Sequence, residues 1–212
     1  FIFEGIYQTN DEAKQHMHSN GYLPVAGDIK YRDVNGDGKL DYQDKQEIGN
    51  TIPKFTYGLN AELSWRNFNL NLQFSGIAGV NGYFQNAWTE PLGISGGTIT
   101  ERWRNAWSPT NPSNSLPQIK VNDTWNRQQS SFWACNISWF KLKNVQLGYA
   151  LPKDLVQKMN IQRFYVYTNA TDLFTLVSSK YEGFNPERDT FENGYNHYPL
   201  SRIFTLGLNV TF

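Results

Sequence analysis

Apolar and polar residues alternate with period two along several stretches of this chain, the mark of β-strands with one greasy face. In 57–65 the odd positions Tyr57, Leu59, Ala61, Leu63 and Trp65 are apolar and the even ones small or polar. Arg66-Asn67 suits a tight turn. In 68–77, Phe68, Leu70, Leu72 and Phe74 share one side, with Asn69, Asn71, Gln73 and Ser75 opposite, so the two segments predict a hairpin. A third strand is predicted over 139–151. Its alternation slips between Leu142 and Val145, where Lys143-Asn144 marks a bulge. A fourth is predicted over 163–173, with both faces mixed and its orientation left open. The last, 202–212, carries Phe204, Leu206, Leu208, Val210 and Phe212 on one face and Thr205, Gly207, Asn209 and Thr211 on the other. Residues 1–7 read as the top of a further strand.

The connections between these strands alternate in length. The turn at 66–67 is very short. The link 152–162 is short and predicts one helical turn over 152–159, opened by Pro152 and Asp154. Stretches 8–56, 78–138 and 174–201 are long. Outer-membrane barrels have short periplasmic turns and longer extracellular loops, and this chain fits that pattern. The long stretches, including 27–49, would then lie outside the cell, with the terminal strand 202–212 running toward the periplasm. The alternative is a soluble antiparallel sandwich. Loops of about 30–60 residues are unusual in compact sandwiches, and the polar faces are rich in Asn, Gln, Ser and Thr, which suits a wet lumen. Five or six strands fall short of the roughly eight that close even a small barrel. The chain therefore reads as part of a larger all-β, antiparallel transmembrane barrel.

Composition sharpens this picture in three places. The formal net charge is zero, so no general attraction to nucleic acid is implied. Twelve Tyr, 14 Phe and 7 Trp suit β structure. One cysteine, Cys135, excludes an internal disulfide framework and a Cys-based zinc site. No apolar run reaches the roughly 20 residues of a membrane-spanning helix, but barrel strands need only about 9–11 residues with alternate positions apolar. The opening Phe1-Ile2-Phe3-Glu4-Gly5 lacks the features of a signal peptide and reads as the inside of a strand of a longer protein.

Several blocks follow one another along the chain. They are Gly27-Asp28-Ile29-Lys30-Tyr31-Arg32-Asp33-Val34-Asn35-Gly36-Asp37-Gly38, Ile52-Pro53-Lys54-Phe55-Thr56-Tyr57-Gly58-Leu59, and Trp107-Ser108-Pro109-Thr110-Asn111-Pro112. Then come Leu142-Lys143-Asn144-Val145-Gln146-Leu147-Gly148-Tyr149, Asn169-Ala170-Thr171-Asp172-Leu173-Phe174, Gly183-Phe184-Asn185-Pro186-Glu187 and Tyr198-Pro199-Leu200-Ser201-Arg202. In order and spacing they resemble the C-terminal region of the SusC/RagA family of TonB-linked outer-membrane transporters, across nearly the whole chain. The resemblance implies a plugged barrel of about 22 strands. It implies energised import of oligosaccharides or peptides, a TonB contact made by N-terminal regions outside this chain, and a SusD-like surface lipoprotein at the extracellular mouth. It implies no enzymatic activity.

Asp33, Asn35, Asp37, Gly38, Lys39, Asp41 and Asp44 stand at positions 1, 3, 5, 6, 7, 9 and 12 of an EF-hand-like loop. Calcium takes six to eight oxygens, and side chains two apart converge where a glycine permits a sharp turn. The Lys39 carbonyl and the Asp44 carboxylate would close the shell, with Asp41 binding directly or through water. Asp at position 12 is shorter than the usual Glu, and the flanks look extended rather than helical. The plain alternative is an Asx- and Gly-rich turn without an ion.

Trp88, Trp103, Trp107, Trp125 and Trp133 fall in 78–138. Such rings stack on sugars; the alternative is that they pack the loop on itself or dock a partner. Tyr57, Trp65, Tyr149 and Phe212 lie near strand ends, where aromatic girdles form. Phe212, ending an alternating strand, resembles the signal read by the barrel-assembly machinery. His16, His18 and His197 show no metal-ligand spacing, and no nucleophile elbow, phosphate loop or dinucleotide fingerprint appears. The competing readings are a soluble or surface-attached glycan-binding β module with a calcium-stiffened loop, and an adhesion domain.

Overall fold

The computed structural model describes residues 1–14, 21–83, 99, 101–178, 185–187 and 201–212. These fall into two compact units. One lies within Phe1–Asn50 and Gly82–Cys135, the other within Thr51–Asn81, Asn136–Asp189 and Asn196–Phe212. A short ribbon, β5 (Asn81–Tyr83) against β6 (Ala134–Asn136), carries the chain from one to the other.

The second unit is an antiparallel five-stranded sheet. Its strands are β3 (Phe55–Trp65), β4 (Phe68–Ala78), β7 (Trp139–Ala150), β8 (Arg163–Val177) and β9 (Ile203–Thr211), in that spatial order. Every expected strand of the alternating pattern is present, and β8 runs four residues further than expected, to Val177. Trp65 faces Phe68 across the two-residue turn, where Arg66 takes φ +54°. Between β7 and β8 the chain makes the expected helical turn, α2 (Lys153–Lys158), which buries Val156.

The register explains what the alternation left unresolved. Gln73 pairs with Asn144, but the next residue, Phe74, pairs with Leu142. Lys143 is therefore the extra residue of a bulge, and it has no partner in the β8 ladder either, where Leu142 faces Phe174 and Asn144 faces Thr171. One residue too many returns Val145 and Leu142 to the same side, which is why the period slips there. In β8, Val166 pairs with Leu208 and Ala170 with Phe204, so the even residues join the apolar side and Tyr165, Tyr167, Asn169 and Thr171 the polar one.

The first unit holds the strand expected within residues 1–7. Phe3–Ile6 (β1) is a strand, but it does not continue the large sheet. It pairs with β2 (Ile29–Tyr31) in a separate two-stranded ribbon. Apolar side chains of this unit bury Phe1, Ile29, Tyr31, Leu40, Tyr83, Trp103, Leu116, Trp125 and Trp133 in one cluster. A short helix, α1 (Asn10–Lys14), follows β1; residues 15–20 lie outside the described residues.

Candidate functional site

The residues that carry the chemistry of the sheet sort by face. On one face stand Tyr57, Leu59, Leu63 and Trp65 of β3 and Phe68, Leu70, Leu72 and Phe74 of β4. Phe140, Leu142, Val145, Leu147 and Tyr149 of β7 and Phe204, Leu206, Leu208 and Val210 of β9 continue it. Leu59, Leu63, Leu206 and Leu208 are 59–76% exposed. Isolated exposed leucines mean little, but a continuous apolar face across five strands marks a surface made to meet something apolar.

Rings bracket that face at both ends. Toward the long connections, Phe140 lies 5.4 Å from Phe74, 6.2 Å from Tyr57 and 6.5 Å from Phe174 between ring centres. Toward the short turns, Phe68 lies 6.4 Å from Trp65 and 4.7 Å from Tyr149. Tyr57 and Trp65 are eight residues apart in one strand, about 26 Å of chain at 3.3 Å per residue. Tilted by about 40°, that is roughly 20 Å of height, close to the apolar band of a membrane barrel.

The opposite face is made of amides and hydroxyls. Asn60, Glu62, Asn71, Gln73, Asn144 and Gln146 line a shallow groove on it. The Oδ1 atoms of Asn144 and Asn169 are buried beneath this face with no protein hydrogen-bond partner among the described residues. Toward the short-turn end this face carries two flat tyrosines. Tyr165 lies against Gly148 and Tyr167 against Gly207, each where a Cβ would collide with the ring, and the two rings stack with centres 6.0 Å apart.

Of the five tryptophans expected to meet substrate or partner, Trp88 lies outside the described residues. The other four are 2–9% exposed, so they offer no ring face to solvent; packing is the role this geometry gives them. Trp125 Nε1–H donates to the Ile29 carbonyl (2.9 Å), Trp133 Nε1–H to that of Asn126 (2.7 Å) and Trp107 Nε1–H to Gln8 Oε1 (3.0 Å). Trp103 lies 6.2 Å from Trp133. Gly27, at φ +90°, permits the turn beside Trp107, where a side chain would strike that ring and Gln118.

Sequence reasoning missed the polar hub of this unit, Asp28, which is fully buried. Its carboxylate accepts from Tyr22 Oη–H (2.8 Å), Val25 N–H (3.0 Å), Gln118 Nε2 (3.0 Å) and Asn126 Nδ2 (3.1 Å), and ion-pairs with Lys120. Burial pushes the nearby Asp123 carboxyl above its usual range, against the hydrogen bonds from Asn126. Asp28 sat in a recognised block, but three of its partners, Gln118, Lys120 and Asn126, lie 90–98 residues further on, where no local period points to them.

The aspartate loop is closed largely on its own backbone. Asp33 accepts the N–H groups of Gly36 (2.7 Å) and Gly38 (2.8 Å), Asn35 that of Asp37 (3.0 Å), Asp37 that of Lys39 (2.8 Å) and Asp41 that of Gln43 (2.7 Å). Each such bond uses one acceptor position of an oxygen that has two. The exposed side chains of Asp33, Asn35 and Asp37 therefore keep capacity for a hard cation, and the donor chemistry fits calcium. Asp44 differs. It is fully buried, and its two oxygens hold the N–H groups of Val34 and Asp41, both at 2.8 Å. Among the described residues no three His, Cys, Asp or Glu side chains gather closely enough to hold a metal as they stand.

Phe212 follows β9 and is 82% exposed. His16, His18 and His197 lie outside the described residues. No helix among the described residues is long and apolar enough to cross a membrane, which says nothing of crossing by strands.

No family model matches the chain. Curated proteins do. TonB-dependent receptor P3 of Formosa agariphila is 30% identical over all of this chain, which spans 22% of that receptor. TonB-dependent receptor SusC of Bacteroides thetaiotaomicron is 22% identical, again over the whole chain and 19% of its own length. The chain thus spans about a fifth of the curated relatives it matches. Among solved structures, that of the RagAB peptide transporter superposes with a TM-score of 0.71 at 24% identity, covering 99% of this chain and 22% of that one. The RagAB peptide importer in its open-open state gives 0.69 at 20% identity, with the same coverage. These relatives are named as receptors and transporters, not as catalysts.

Proposed function

We propose, for a chain that belongs to the TonB-dependent receptors of the SusC type, that it forms part of the wall of an outer-membrane importer of oligosaccharides or peptides. The observation that carries this is the two-faced sheet: an exposed leucine face bracketed by aromatic rings on one side, amides and hydroxyls on the other. In a closed barrel of about 22 strands the first face meets lipid and the second a wet lumen. The groove on the lumen face is lined mainly by amide side chains, which suits passage of polar cargo without tight capture.

The rest of the assembly follows from the same reading. The long connections lie outside the cell, where a SusD-like lipoprotein covers the mouth. TonB acts through regions beyond this chain. Phe212, apolar and exposed past β9, meets the barrel-assembly machinery. The exposed donors Asp33, Asn35 and Asp37, with the Lys39 carbonyl and Asp41, hold a structural calcium ion. A soluble glycan-binding module would need its leucine face covered, and among the described residues that face is open.

The test is genetic. Deleting the full-length receptor gene should abolish growth of its host on one class of glycan or peptide nutrient, and loss of TonB should give the same defect. A deletion strain that grows normally on every such mixture would overturn the import reading.

A further inference from the structure

We propose that Glu187 clips the segment 185–187 onto the bulge of β7, so that the connection between β8 and β9 is tethered to the polar face of the sheet rather than held only at its ends. This does not depend on what is imported. The clip is built from both sides. Lys141 Nζ donates to Asn185 Oδ1 (2.8 Å) and Glu187 Oε2 (3.1 Å). Lys143 Nζ donates to both oxygens of the same carboxylate. The Glu187 N–H donates to Asn185 Oδ1 (3.1 Å), which shapes the segment that presents the acid.

Burial makes the contact obligatory for one partner. The Lys141 side chain is 4% exposed, and its ladder neighbours are Ser75 and Thr175, which carry no charge. A buried ammonium without a counter-charge is costly, and among the described residues Glu187 is its ion-pair partner. Trp139 floors the site, with the two ammoniums 5.5 and 5.7 Å from its ring centre.

The bulge gains a purpose here. Lys141 holds an ordinary ladder position, while Lys143 is the extra residue with no partner in either neighbouring ladder. The insertion therefore sets a second cation beside the first without disturbing the apolar face. Burial alone would raise the Glu187 carboxyl, but the two ammoniums outweigh it and hold it below the usual carboxylate range, so the clip stays ionised at neutral pH.

The test uses the full-length receptor in detergent, read by thermal melting and by the rate of tryptic cleavage at Lys180 and Arg188, which flank the segment. Glu187→Gln should lower the melting temperature and speed cleavage about tenfold, as loss of a coupled contact implies. In a Lys141→Met background, where no buried charge is left to strand, the same change should cost much less. Additive effects of the two substitutions, or wild-type cleavage in Glu187→Gln, would overturn the clip. Should Glu187→Gln fail to assemble, Lys143→Gln leaves the buried pair in place. Faster cleavage in that variant supports the clip, and an unchanged rate sinks it.

Discussion

A carboxylate out of reach of water must be fed by donors, and among the described residues Asp28 and Asp44 are fed in different ways. Asp28 takes side chains from distant stretches plus the cation of Lys120, and so fastens 22–28 to 118–126. Asp44 takes only the backbone N–H groups of Val34 and Asp41, and so closes its own loop. That distinction separates two roles that the spacing of the aspartates had merged. Asp44 shapes the loop with or without an ion, while Asp33 and Asp37 face solvent and can add one. Chelating calcium should therefore lower the melting temperature of the full-length receptor by a few degrees, as removal of a bound ligand does. Asp33→Ala with Asp37→Ala should melt at or below the chelated value, since the N–H groups of Gly36, Gly38 and Lys39 also lose their acceptors, and should ignore the chelator. Asp44→Ala should cost about 1–3 kcal/mol in either condition, because two N–H groups lose their acceptor. If wild type and double variant melt alike with and without chelator, the ion has no part in the loop.

At the scale of the element, legibility depended on where the deciding information lay. The β3–β4 hairpin was plain because each strand carries its own alternation and the turn has only two residues. The strand β8 was not, since Tyr165 and Tyr167 are aromatic yet belong to the polar face. They fit there because Gly148 and Gly207, on the two neighbouring strands, leave room beneath them. No reading of β8 alone contains those glycines. The tryptophans left two readings open for a related reason: a ring suits a sugar and a core equally well, and only burial decides. The register does yield a sharp contrast between adjacent residues of β9. Leu206→Arg puts a cation on the apolar face and should cost about 2–4 kcal/mol near mid-membrane, whereas Thr205→Arg points to the wet side and should cost much less. The fraction of full-length receptor assembled in the outer membrane would report both. Equal losses would mean that the faces are misassigned.

At the scale of the whole molecule, the two units solve opposite problems. The first gathers Trp103, Trp125 and Trp133 with Tyr31 and Leu116 into a dry cluster, as any water-soluble body must. Among the described residues the second shows no such cluster. Its leucines stand exposed, and among the described residues β3 and β9 are the sheet's two outer strands, each with one side unpaired. Open edges and an apolar face of this extent are what aggregation exploits, unless further strands pair the edges and lipid covers the face. This chain, produced alone in buffer, should therefore be polydisperse and recovered only with detergent. The same residues within the full-length receptor should extract as a single species. The contrast isolates the cause: composition is the same in both settings, and only the partners of the edges and the leucine face change. A monodisperse, detergent-free monomer of the isolated chain would show that the leucine face finds cover within the chain itself, and a lipid-facing wall would then be the wrong description of this sheet.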